Sequence, residues 1–107
     1  MGQTSEEVAK RFSISREDQD HFAVASHTKA AAAQKSGLFF NEITAVTLDG
    51  ISVSEDEGIR PDTSFIGLQK LKPAFSVDGS TTAGNSSQVN QMLVGFAQTD
   101  WPRYLDK

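Results

Sequence analysis

The sequence predicts an α+β fold in which three helices surround a short β-hairpin and a long polar loop follows. Three observations predict it: a capped, alanine-rich run over residues 16–36, two alternating apolar segments joined by Asp49-Gly50, and turn-forming composition over residues 76–90. A chain of 107 residues is one small domain at most. With 37% hydrophobic residues and a mean hydropathy of -0.37, we expect a thin core and marginal stability.

The first helix is predicted close to the N-terminus. Thr4 and Glu7 fit a capping box, in which Thr4 is the N-cap and Glu7 at N3 returns the hydrogen bond. Its apolar stripe would consist of Val8, Ala9 and Phe12.

The second helix is predicted from Arg16 to about Ser36. Ser15 is placed as its N-cap, the run contains neither Pro nor Gly, and Gly37 is placed as the terminating residue. One face is rich in small residues and is predicted to let a neighbouring backbone come close; it carries Phe22, Ala25, Ser26, Lys29 and Ala33.

A hairpin and a third helix complete the predicted elements. Residues 43–48 and 51–54 alternate on either side of Asp49-Gly50, a strong signal for a type I′ turn. The acidic run at 55–57 is expected to lie in solvent rather than to bind a cation. A short helix is predicted to begin at Thr63 or Ser64 and to end before Pro73, with one apolar side formed by Phe65, Leu68 and Leu71.

The stretch at 81–89 is predicted to be open to a ligand. Its side chains are small or hydroxylated, Gly84 tolerates a positive φ, and Asn85 tolerates the left-handed conformation. We therefore expect backbone N–H groups and hydroxyls of this loop to stay accessible. An ordinary polar loop is the alternative interpretation of the same composition.

Composition excludes several function classes. The chain has 14 acidic against 10 basic residues and a pI of about 5.0, which disfavours general nucleic-acid binding. It has no cysteine, and no apolar run approaches the ~20 residues of a membrane span. His21 and His27 are separated by about 240° of helical rotation, so they are expected to be exposed and not to share a metal ion. Motifs of nucleotide-binding loops and common hydrolases are missing from the sequence.

Several short motifs follow one another in a fixed order along residues 1–90. They are the run at 1–9, the helix start at 14–20, Gly58–Pro61, Leu68–Phe75, Asp78-Gly79 and Thr82–Val89. Their order and spacing resemble the thiolase family, most closely the 3-ketoacyl-CoA thiolases (acetyl-CoA acyltransferases) of fatty-acid oxidation. We therefore assign residues 1–90 to a thiolase loop-domain-like segment and residues 91–107 to a divergent C-terminal tail.

The resemblance implies a role for five residues in contacts with coenzyme A (CoA). By resemblance, Arg60 contacts the nucleotide end of CoA and Phe75 lies beside the ligand. Ala83 and Ser87 line the pantetheine, and Ser87 bonds an amide of that arm. Met1 matches a methionine that packs near the acyl pocket. An arginine fork suits phosphate, and small residues suit the thin pantetheine arm.

The same resemblance implies that these 107 residues cannot perform the family's reaction alone. Thiolases use two cysteines and a histidine, whereas this sequence contains neither a cysteine nor the family's Gly-His-Pro motif. We therefore predict no catalytic residue, no metal and no resident cofactor, with CoA or acyl-CoA as the substrate of the parent family. Binding of CoA by this segment alone is expected to be weak or absent, because one cleft wall leaves the ligand solvated.

Two functional interpretations follow, together with a location. The first is a truncated 3-ketoacyl-CoA thiolase; the alternative is a non-catalytic module that docks on a full-length thiolase subunit and affects its assembly. An active acyltransferase would require a partner chain to supply the cysteines. The resemblance implies a peroxisomal location, although the ending Leu105–Lys107 is not a peroxisomal address and the cytoplasm is possible.

Overall fold

A computed structural model describes residues 1–87 and confirms the α+β fold class. Its helices and strands are α1 (Gly2–Arg11), α2 (Arg16–Lys35), β1 (Val46–Leu48), β2 (Ile51–Val53) and α3 (Phe65–Gln69). The end of the predicted polar loop and the tail at 91–107 lie outside the described residues.

The capping box predicted for α1 is wrong. The helix begins at Gly2 with Met1 as its N-cap, and its first hydrogen bond joins the Ser5 N–H to the Met1 carbonyl at 3.0 Å. Thr4 therefore lies inside the first turn and cannot cap it. The aromatic ring of Phe75 lies against Gly2, so a contact from a distant part of the chain meets the start of this helix.

The predicted ends of α2 are confirmed. Ser15 Oγ accepts a hydrogen bond from the Asp18 N–H at 3.0 Å, as an N-cap does. At the other end Gly37 has φ +72°, and the Leu38 N–H donates to the Ala33 carbonyl at 3.0 Å. These contacts form a Schellman motif, which closes the helix where a residue with a positive φ is needed.

The face of α2 that packs against the protein differs from the predicted one. Asp20 and Ala23 are buried, whereas Phe22 is 77% exposed and Lys29 is also exposed. The alanine-rich composition gives α2 little apolar asymmetry, so hydrophobicity does not decide its orientation. The orientation follows instead from polar contacts with α3.

Arg16 connects α2 to α3 and is held in place by Asp20. Arg16 Nε donates to Asp20 Oδ2 at 2.8 Å, and Arg16 Nη2 donates to the carbonyls of Leu68 at 2.6 Å and Leu71 at 3.0 Å. The Asp20 side chain is fully buried. A buried charge is costly unless it is paired, and Arg16 pairs with Asp20 Oδ2, while Oδ1 has no hydrogen-bond partner within residues 1–87. The contacts of Arg16 therefore favour the rotation of α2 that keeps Asp20 beside it.

The hairpin is confirmed, with strands of three residues each. Asp49 has φ 50° and Gly50 has φ 79°, as a type I′ turn requires. Val46 pairs with Val53 and Leu48 pairs with Ile51, which places these four apolar side chains on one face; all of them are exposed. The acidic run at 55–57 is exposed, as expected.

The third helix begins where the sequence predicts. Ser64 Oγ accepts a hydrogen bond from the Gly67 N–H at 3.1 Å, and the helix ends at Gln69, before Pro73. Of its predicted apolar side, Leu68 is buried.

The core of the described part of the chain is small and largely polar. The buried apolar residues of segment 1–87 are Ala23 and Leu68; the apolar stripe predicted for α1 is not buried, since Val8 and Phe12 are exposed. Side chains that are polar or charged fill the remaining buried positions: Glu6, Asp20, Thr81 and Thr82. Hydrogen bonds therefore hold the segments of this chain together as much as apolar packing does.

Candidate functional site

The loop that follows Gly79 is anchored to α1 by the carboxylate of Glu6. One oxygen accepts the Thr81 N–H at 2.8 Å and the other accepts the Ser80 N–H at 3.0 Å. These backbone N–H groups, that of Ser80 foremost, hold the pKa of Glu6 below its ordinary value. Gly79 is required here because a Cβ at that position would overlap the Glu6 carboxylate.

The loop also binds itself, which corrects the expectation that its polar groups stay accessible. Thr82 N–H donates to Asn85 Oδ1 at 2.8 Å, and Asn85 Nδ2 donates to the Ser80 carbonyl at 2.9 Å. Gly84 N–H donates to Thr82 Oγ1 at 3.2 Å, and Ser86 Oγ donates to the Thr82 carbonyl at 2.6 Å. The small polar residues of this loop therefore satisfy one another and give it a fixed shape.

Gly84 serves close packing, which is a different reason from the predicted one. Neither Gly84 nor Asn85 has a positive φ. A Cβ at position 84 would lie 2.5 Å from Leu68 Cδ2 and 2.8 Å from Leu71 Cδ1. The loop backbone therefore rests directly on α3.

An open cavity of about 1500 Å³ lies between α2, the segment at 55–59 and the loop at 84–87. Ser87 lines this cavity. The cavity wall at 55–59 leads directly to Arg60, whose backbone N–H donates to Nδ1 of His27 at 3.2 Å. Of the predicted site residues, Ser87 therefore lines this cavity, and the backbone of Arg60 lies next to its wall at 55–59 without lining it.

The other predicted site residues lie elsewhere. Met1 lines a separate cavity of about 330 Å³ beside α1. Phe75 packs against Gly2, and Ala83 is exposed and lines neither cavity. Ile14 and Gln19 contribute to both cavities, which are therefore neighbours.

The two histidines of α2 have different surroundings. His21 is exposed, as expected, and its ring stacks on Phe65 with a centroid separation of 4.0 Å and an interplanar angle of 5°. His27 is half-buried, which corrects the expectation that both histidines are exposed. It lies against the segment at 55–60, because its Nδ1 accepts the Arg60 N–H. Within residues 1–87 no group of three His, Asp or Glu side chains is arranged to hold a metal ion.

Sequence reasoning missed the residues that position the loop. Besides Glu6, Gln19 reaches the loop from α2, since its Nε2 donates to Ser80 Oγ at 2.8 Å. The sequence predicts that Arg16 and Asp20 belong to a helix start, and it gives no indication that Arg16 also reaches α3. These partners are separated by 52 or more positions along the chain, so local spacing carries no signal for them.

Comparisons with a family model, with curated proteins and with solved structures all point to one family. The family model described as the thiolase N-terminal domain matches residues 1–91. The chain belongs to the thiolase family. It is 60% identical over 99 residues to the peroxisomal 3-ketoacyl-CoA thiolase of Homo sapiens, and the match covers 84% of this chain but 23% of that protein. The chain thus spans about a quarter of the length of the curated thiolases it matches.

Two solved thiolases share its fold. The dimeric peroxisomal thiolase of Saccharomyces cerevisiae gives a TM-score of 0.79 at 50% identity, covering 83% of this chain and 23% of that one. Human mitochondrial 3-ketoacyl-CoA thiolase, solved in complex with CoA, gives 0.77 at 40% identity, covering 80% and 22%. Within residues 1–87, no helix is long and apolar enough to cross a membrane.

Proposed function

We propose that this chain supplies one wall of the acyl-CoA binding surface of a 3-ketoacyl-CoA thiolase, an acyltransferase of fatty-acid β-oxidation. The observation that carries the proposal is the match to a thiolase solved in complex with CoA, at a TM-score of 0.77 and 40% identity. These 107 residues contain no cysteine, so they hold no thiolate to accept the acyl group. In this proposal the chain contributes binding, while catalysis requires residues outside it.

The proposed contacts follow the surfaces described above. Ser87 lines the large cavity and donates its hydroxyl to an amide of the pantetheine arm. Ala83 is exposed beside the cavity-lining residues 84–87 and contacts the same arm outside the cavity. Arg60 binds the phosphates at the nucleotide end of CoA, beside the same cavity. Met1, at the start of α1, is proposed to lie near the acyl pocket. Phe75, which packs against Gly2, is proposed to lie beside the ligand.

Charge around the cavity directs the ligand. The cavity is lined by Asp18 and by the acidic run at 55–57, which would repel CoA phosphates placed inside it. The phosphates are therefore proposed to stay at the rim beside Arg60, and only the uncharged pantetheine enters. With a single wall available, we expect affinity in the millimolar range.

A titration of the 107-residue chain with CoA tests this proposal. In ¹⁵N NMR spectra, we expect the largest shifts at Arg60 and Ser87. Arg60→Gln and Ser87→Ala should each weaken the shifts, whereas Arg11→Gln, which removes an arginine from the last turn of α1, should leave them unchanged. Shifts concentrated far from Arg60 and Ser87, or tight binding by both variants, would contradict the assignment.

A second candidate function is docking on a full-length thiolase subunit. It is favoured by the exposed apolar face of the hairpin, formed by Val46, Leu48, Ile51 and Val53. Co-purification with an intact thiolase, abolished by Leu48→Asp but not by Thr47→Asp on the opposite face, would support it. A monomeric, partner-free profile in the presence of that enzyme would remove it.

We also propose a peroxisomal location for the protein that contains this segment. The proposal is supported by the peroxisomal human relative at 60% identity. Fluorescence microscopy of the tagged natural gene product tests it, and a diffuse cytoplasmic signal would contradict it.

A further inference from the structure

Two side chains of α2 hold the segment at 55–60 against the helix. His27 Nδ1 accepts the Arg60 N–H at 3.2 Å, and Gln34 Nε2 donates to the Asp56 carbonyl at 3.2 Å. His27 and Gln34 are seven positions apart, which is about two helical turns, so both lie on the same side of α2. The segment is thus attached near each of its ends.

The peptide groups on both sides of Arg60 are fixed. Its N–H is bound by His27, and its carbonyl accepts hydrogen bonds from the Thr63 N–H at 3.2 Å and Thr63 Oγ1 at 2.8 Å. Thr63 is three positions from Arg60, so its bonds are local to that segment, whereas His27 lies on α2. The bond from His27 is therefore the contact that ties Arg60 to the body of the protein.

We propose that His27 is a positioning residue for Arg60 and that it acts in its neutral form with Nδ1 unprotonated. An imidazolium has donors on both nitrogens and cannot accept the Arg60 N–H. Protonation of His27 therefore detaches Arg60 from α2. The placement of the Arg60 backbone therefore depends on the protonation state of His27.

Other charged groups face the same space. Asp18 on α2 and the acidic run at 55–57 line the cavity that His27 also lines, and Arg60 adjoins it. Among the described residues, the Arg60 N–H donates to His27 Nδ1 and to none of these carboxylates.

The effect on CoA rests on the proposed function, in which Arg60 holds the nucleotide end. The attachment of Arg60 itself does not depend on CoA. The two can therefore be measured separately on the same protein.

The test is ¹⁵N NMR of the complete 107-residue chain without ligand, followed by CoA titration. In His27→Ala we expect the Arg60 amide to shift and to exchange its hydrogen about fivefold faster, as loss of one hydrogen bond implies. His27→Gln should restore much of this protection through its side-chain oxygen. The protection of the Arg60 amide should then no longer depend on pH, because glutamine does not titrate. His21→Gln, on the same helix, is the matched control and should leave Arg60 unchanged.

The Gly67 amide, which is bound to Ser64 Oγ, reports whether the fold survives each substitution. An Arg60 amide that is unaffected by His27→Ala and by pH would overturn the proposal. Loss of the Gly67 signal together with that of Arg60 would also overturn it, since His27 would then serve general stability. If Arg60 responds as expected but CoA binding to the wild-type chain is absent, the proposed function fails and the positioning role stands.

Discussion

Replacing Glu6 by glutamine removes the charge that anchors the loop at 80–82 while keeping the size of the side chain. Glu6 is 7% exposed, and its carboxylate accepts the backbone N–H groups of Ser80 and Thr81 at 3.0 and 2.8 Å. Glutamine retains one acceptor oxygen and turns an NH₂ group toward a donor. Since a hydrogen bond to a charged group contributes about 1.5–3 kcal/mol, we expect Glu6→Gln to lower the free energy of unfolding by about 2 kcal/mol.

The pH dependence of this loss follows from the lowered pKa of Glu6. Because the folded-state pKa lies below the unfolded one, the carboxylate contributes its full stability above the ordinary glutamate range. That contribution disappears as pH falls through the folded-state value. The difference between wild type and Glu6→Gln should therefore be complete at pH 7 and should shrink toward zero at strongly acidic pH.

Urea unfolding followed by circular dichroism at several pH values measures both quantities. Glu7→Gln is the matched control, since it removes the same charge from the neighbouring exposed position, where Lys10 lies 3.9 Å away. Such exposed pairs contribute little, so this control should change stability by less than about 0.5 kcal/mol. Equal effects of the two substitutions at pH 7, or a Glu6→Gln effect that persists unchanged in acid, would refute the anchoring role.

Three further substitutions test the packing. Gly84→Ala should destabilise by about 1–3 kcal/mol in urea unfolding, because its Cβ would lie 2.5 Å from Leu68 Cδ2; a neutral result would contradict the close approach. Arg16→Ala leaves the buried Asp20 carboxylate without its cation and should lower the free energy of unfolding by about 3–5 kcal/mol. Amide hydrogen exchange should then show loss of the fold, and retained protection in α2 and α3 would contradict the network. Gly50→Ala, at φ +79°, should cost about 1 kcal/mol and broaden hairpin amide signals without affecting α2; intact hairpin signals would argue against the turn.

The features predicted correctly from sequence depend on neighbouring residues. Ser15 and Gly37 determine the ends of α2 through contacts within a few positions, and Asp49-Gly50 determines the hairpin turn through its own backbone angles. Ser64 sets the start of α3 in the same manner. Both partners of each interaction lie within a few positions of each other, so the interaction can be recognised from the sequence.

The features missed from sequence depend on distant residues. Nothing near Glu6 in the sequence indicates that its carboxylate accepts the Ser80 N–H, 74 positions away. The side of α2 that is buried depends on Asp20 and on the bond from Arg16 to α3. The alanine-rich pattern of α2 does not indicate which side this is. Likewise Gly84 is explained by a neighbour in space. A charged or small side chain can contact many different residues, so the sequence does not show which contact forms. The tertiary structure is needed to identify it.

The predominance of polar groups in the buried interior has a thermodynamic consequence. Exposure of apolar surface raises the heat capacity on unfolding, and exposure of polar surface lowers it. A chain whose described interior combines Ala23 and Leu68 with Glu6, Asp20 and threonines should therefore have a heat-capacity increment below the usual ~12–15 cal/mol/K per residue. Its stability should then vary little with temperature, so that chilling weakens it less than it weakens an ordinary domain of the same length.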